Sequence, residues 1–195
     1  TCAATATDAD GGTPTVTLAW SDGSTASTYA IVSSDDPGDT ITCTATATDT
    51  GGATDSDTAT ATVTNTDPVL TSVGVSPSTG QVGDTLTCSA SATDADGGTP
   101  TVSYGWSDGS WGATYTVSAS DNPGDTITCT ATAADGDGGT DSATASATVD
   151  NTAPVLTSVT VSPSTGQVGD TLTCAATATD ADGGTPTITY AWPDG

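Results

Sequence analysis

Apolar side chains recur at every second position along much of this chain, and no stretch shows helical spacing. Leu86, Cys88, Ala90 and Ala92 alternate with Thr85, Thr87, Ser89 and Ser91. The same alternation sets Val73 and Val75 on one face ahead of Pro77, and Val102, Tyr104 and Trp106 on another. It returns at Tyr115, Val117 and Ala119, at Ile127 to Ala133, and at Ala143 to Val149. Between these runs lie turn-forming clusters: Ser107-Asp108-Gly109-Ser110, Asp121-Asn122-Pro123-Gly124-Asp125 and Asp135-Gly136-Asp137-Gly138-Gly139. Short strands punctuated this often predict an all-β sandwich.

The pattern repeats at a fixed offset of 86 residues. Asp8 to Pro14 match Asp94 to Pro100 and Asp180 to Pro186, and Pro68 to Val73 match Pro154 to Val159. Residues 1–64 therefore read as a repeat without its first strand, 65–150 as a complete repeat, and 151–195 as the first half of a third. The linkers Asn65-Thr66-Asp67-Pro68 and Asn151-Thr152-Ala153-Pro154 are short and carry proline, so adjacent repeats should be held rather than loosely strung.

The inward positions are mostly Ala, which contributes little at about 25 cal/mol per Å² of apolar area buried. Cysteines recur at matching strand positions: Cys2 with Cys43, Cys88 with Cys129, and Cys174, whose partner position lies beyond residue 195. They imply a disulfide framework and an oxidising, extracytoplasmic location, the alternative being a pair of buried free thiols. A bridge closing about 40 residues is worth roughly 4 kcal/mol in the chain-entropy account.

Composition then excludes functions. The formal net charge is −24, every acidic residue is Asp, and Lys, Arg and His are absent. Without His or Lys there is no ordinary general base near neutral pH, so no enzyme is expected. Phosphate backbones and anionic lipid surfaces are repelled, which argues against nucleic-acid binding. No apolar run is long enough to span a membrane in this segment.

Cys88, Trp106 and Cys129 fall in the order found in strands B, C and F of immunoglobulin-like domains. Together with Gly83-Asp84-Thr85-Leu86, Asp94-Ala95-Asp96-Gly97-Gly98 and Tyr104-Gly105-Trp106-Ser107-Asp108-Gly109, the chain resembles the bacterial and archaeal tandem Ig-like, PKD-like and cadherin-like surface repeats. It departs from PKD-type repeats in carrying the cysteine pair. Ile127 also stands where antibody-type domains place a corner tyrosine. The resemblance implies tandem Ig-like β-sandwiches in an extracellular filament or cell-surface stalk, self-associating and stiffened by Ca²⁺ between domains. The competing reading is an adhesin, or a carbohydrate-binding accessory module of a secreted protein.

In such a sandwich the loops carrying Asp94, Asp96, Asp135 and Asp137 would gather near Asp67, facing Asp35, Asp36 and Asp39 of the preceding repeat. Hard carboxylate oxygens in that number suit Ca²⁺. Turn formation by Asp-Gly pairs explains the same residues without a metal. Trp20, Trp106 and Trp192 are expected in the core against the disulfides. Trp111 is different: Thr25 stands at its place in the first repeat, and it is a candidate for a subunit or sugar contact. The outward threonine ladders fit an exposed strand face, glycan attachment, or a flat array against ice or another filament.

Overall fold

The computed structural model describes residues 1–193 and is all-β among them. Its strands are β1 (Thr15–Trp20), β2 (Thr40–Thr48), β3 (Thr54–Thr62), β4 (Val69–Ser76), β5 (Thr79–Gly80), β6 (Thr85–Thr93), β7 (Thr101–Trp106), β8 (Thr114–Thr116), β9 (Thr126–Ala134), β10 (Thr140–Val149), β11 (Val155–Ser162) and β12 (Thr173–Thr179). The fold is that of tandem Ig-like β-sandwiches.

The chain clusters into two compact units. The first comprises Thr1–Val69 with the loop segments Ala92–Thr101 and Ala134–Asp141; the second comprises Leu70–Ser91, Val102–Ala133 and the chain from Ser142 on.

In the first unit, β1, β2 and β3 form an antiparallel sheet in which Trp20 lies opposite Cys43. Trp20, Ile41, Cys43 and Val63 make a small core, with Cys2, Leu18 and Tyr29 packed against it. Cys2 and Cys43 are bonded.

In the second unit, β4, β6 and β8 form one sheet of the middle repeat, and β5, β10, β9 and β7 form the other. Leu86, Cys88, Trp106, Tyr115, Val117, Ile127, Cys129, Ala147 and Val149 fill the space between them. The Cys88–Cys129 bond joins β6 to β9 and so staples one sheet to the other. The predicted alternation holds on β9, where Ile127, Cys129, Ala131 and Ala133 are buried.

One element was not anticipated. Beyond Pro77 the chain leaves the β4 sheet and β5 pairs in parallel with β10 in the opposite sheet. A two-residue strand carries no periodicity to read. Gly80 packs closely there: a Cβ would lie 3.2 Å from Leu86 Cδ2, which would have to give by a few tenths of an ångström. The expected strand through Val117 and Ala119 also stops early, at Thr116.

Trp192, expected in the core, is 45% exposed. In the middle repeat the counterpart tryptophan packs with Tyr115, Ile127 and Cys129. Cys174 forms no disulfide among the described residues.

Candidate functional site

The acidic loops are positioned by the strands they join. Asp94 and Asp96 follow β6, and Asp135 and Asp137 follow β9. Each pair closes on itself: Asp94 Oδ1 accepts the Asp96 amide at 3.0 Å, and Asp135 Oδ1 accepts the Asp137 and Gly139 amides at 2.9 and 2.8 Å. These are turns in which a short carboxylate replaces a backbone acceptor.

Within the first unit, Asp36, Asp94, Asp96, Asp135 and Asp137 all border one cavity of about 290 Å³, together with Ser33, Pro37 and Gly97. Gly97 has φ +93°, and a Cβ on it would sit 3.0 Å from the Ser33 carbonyl oxygen, so the approach requires glycine. Asp67 lies beside the cavity rather than on it. Asp67 Oδ1, Asp135 Oδ2 and Asn65 Nδ2 all lie within 3.0 Å of where a Cβ of Gly139 would project. Asn65 Nδ2 donates to Asp135 Oδ2 at 3.0 Å. That bond is the main reason the Asp135 carboxyl is held below the usual carboxylate range.

Asp35 and Asp39 do other work. Asp35 accepts the Tyr29 hydroxyl at 2.8 Å and the Val32 amide at 2.9 Å, and Asp39 accepts the Asp36 amide at 3.1 Å. Neither lines the cavity.

Both linkers are anchored in the same way. The Thr66 amide donates to Asp96 Oδ2, and the Thr152 amide donates to the equivalent Asp182 Oδ2. Asp182 is only 8% exposed, and its Oδ1 has no hydrogen-bond partner. Thr152 Oγ1 and Asn65 Oδ1 are likewise buried without a partner. Sequence reasoning did not single out Asp182 or Thr152, although the 86-residue offset maps them onto Asp96 and Thr66.

All these donors are oxygens, which suits a hard cation such as Ca²⁺ in kind. Among the described residues, however, no three acidic side chains converge as a metal-holding group. Asp135 spends both oxygens on protein donors.

A second arrangement was legible only in hindsight. Tyr115 Oη donates to Asp121, at 3.0 and 2.9 Å from its two oxygens, and packs on Trp106 with ring centroids 5.3 Å apart. Tyr29, Asp35 and Trp20 repeat the arrangement, with centroids 5.4 Å apart. Burial, with the Asp121 carboxylate adding to it, pushes the Tyr115 hydroxyl up to about 12. The recurring signal was a Tyr six residues ahead of an Asp in both repeats.

No family profile matches the chain, and no curated protein matches it. Among solved structures it is similar to PcdhgB3 EC1-4, at 15% identity and TM-score 0.35 over 89% of this chain and 49% of that one. It is also similar to the protocadherin gammaB4 extracellular domain, at 18% identity and TM-score 0.32 over 87% of this chain and 35% of that one. The chain thus spans about half of the first and about a third of the second. Neither likeness bears on what this chain does.

Proposed function

We propose that this chain is a stretch of structural repeats from an extracellular filament or cell-surface stalk, without enzymatic activity. The observation that carries the reading is the identical anchoring of the two linkers, Thr66 to Asp96 and Thr152 to Asp182. A unit that recurs every 86 residues and ties its linker by the same bond each time suits an element built for extension. The two disulfides support an oxidising, extracellular setting. On this reading, like chains associate side by side once cations screen their charge.

Calcium belongs to the same proposal. The buried, unpartnered Asp182 Oδ1 and Thr152 Oγ1 are the oxygens that would turn to a cation at the second linker, and Asn65 Oδ1 at the first. A cation there would offset buried negative charge that no Lys or Arg is present to meet.

Electron microscopy of the native material, with and without a calcium chelator, tests both parts. Regular fibres with an axial repeat of one or two domains, loosening in chelator, are expected. Fibres indifferent to chelator remove calcium from the reading, and isolated non-fibrous particles remove the filament.

A further inference from the structure

Trp111 is 80% exposed, and nothing in the fold requires it. In the first repeat Thr25 occupies its place, and the turn is the same. Trp20 donates its amide to the Ser24 carbonyl at 2.8 Å and its indole N–H to the Ala26 carbonyl at 2.7 Å. Trp106 makes the matching bonds to the Ser110 and Gly112 carbonyls at 2.8 and 2.9 Å. Threonine serves the fold equally well at this position, so the indole is free to serve a contact rather than the fold.

The side chain is also held for that contact. Trp111 forms a β-bridge with Gly105, and the benzo edge of its indole lies against that glycine. The Gly112 amide bonds the Tyr104 carbonyl at 3.0 Å, so the backbone beyond Trp111 is pinned to β7. A ring fixed at its root loses little freedom on binding.

We infer that Trp111 is a docking platform for a cationic partner, an Arg- or Lys-bearing segment of another protein whose charged side chain stacks on the indole. Charge complementarity carries the choice of occupant. The chain has net charge −24 and not one Lys or Arg, so no cationic side chain of its own can stack on the ring. Trp is the best aromatic acceptor for a cation, and the surrounding field concentrates cations at the surface. A second copy of this chain has no Lys or Arg to stack on the ring, and an anionic glycan would be repelled. The inference goes beyond the stalk reading and stands whether or not that reading holds.

The test uses the oxidised chain and two probes, a nona-arginine peptide and its citrulline analogue, which keeps the shape and removes the charge. The Trp111 indole N–H is followed by NMR, with affinity measured by calorimetry at physiological salt. A saturable shift of that signal with the arginine peptide and none with the citrulline peptide is expected. Trp111→Ala should weaken the arginine peptide by roughly threefold to tenfold, and Trp111→Tyr by less. Thr25→Trp, at an exposed position, should add a second indole signal that shifts in the same way. Equal affinity of Trp111→Ala for the peptide would assign the binding to diffuse charge and overturn the inference. So would a Trp111 signal that moves with a neutral hexasaccharide and not with the arginine peptide.

Discussion

At the scale of the residue, two side-chain arrangements carry measurable consequences. Tyr115 donates to Asp121, and the Ser118 amide and hydroxyl donate to the same carboxylate. Tyr115→Phe removes one donor and leaves the others, so a loss of about 1–2 kcal/mol in urea unfolding at neutral pH is expected. The pH dependence follows from the raised hydroxyl. The unfolded chain ionises near the ordinary tyrosine value of 10.0 and the folded one near 12, so stability is full below pH 10 and declines as pH rises toward 12. Tyr115→Phe should flatten that alkaline decline, checked by unfolding curves at pH 9 and pH 11. At Gly139 the space for a Cβ is already taken by Asp135, Asp67 and Asn65. Gly139→Ala should break the Asn65–Asp135 bond and lower stability by roughly 1–3 kcal/mol. The Asp135 carboxyl, followed by NMR titration, should then move back up toward its ordinary value.

At the scale of the element, the disulfide reinforces a core built partly from alanine. The middle core contains large side chains at Leu86, Trp106, Tyr115 and Ile127, but much of the facing surface is alanine. Cys88 and Cys129 are 41 residues apart in sequence, which gives about 4 kcal/mol of stabilisation in the chain-entropy account. The double variant Cys88→Ser/Cys129→Ser should lose about that much and melt well below the parent. Calorimetry on the variant and its parent checks this. The turns were legible because Asp and Gly announce them, and β9 was legible because its alternation is long. β5 was not: two residues pairing in parallel across to β10 are placed by the path of the chain after Pro77, not by their own pattern.

At the scale of the whole molecule, charge dominates. With −24 and no cationic side chain, every long-range interaction between charged side chains is repulsive. Raising salt shortens the screening length from about 10 Å at 0.1 M to about 3 Å at 1 M. The melting temperature should therefore climb with NaCl and with KCl alike. Calcium should add an increment beyond what equal ionic strength provides, and Asp182→Asn should diminish that increment. A melting series in the three salts reads all of this. Equal curves at equal ionic strength would leave screening as the whole effect.

What the sequence determined by itself is whatever is periodic or compositional: the strands, the 86-residue repeat, the cysteine pairs, and the absence of any cation to answer the aspartates. These follow from local alternation and from counting, and neither needs a partner in space. Tertiary structure decided which of the aspartates meet. Asp36, Asp94, Asp96, Asp135 and Asp137 share a cavity, while Asp35 turns to Tyr29 and Asp39 to its own loop. It also decided that Asp182 is buried with one oxygen unmatched, and that Trp106 is enclosed while Trp111 stands in water. The physical reason is the same throughout. A side chain's burial and bonding depend on which distant strand or loop lies across from it, and that neighbour is set by the path of the chain rather than by the residue's own surroundings in sequence.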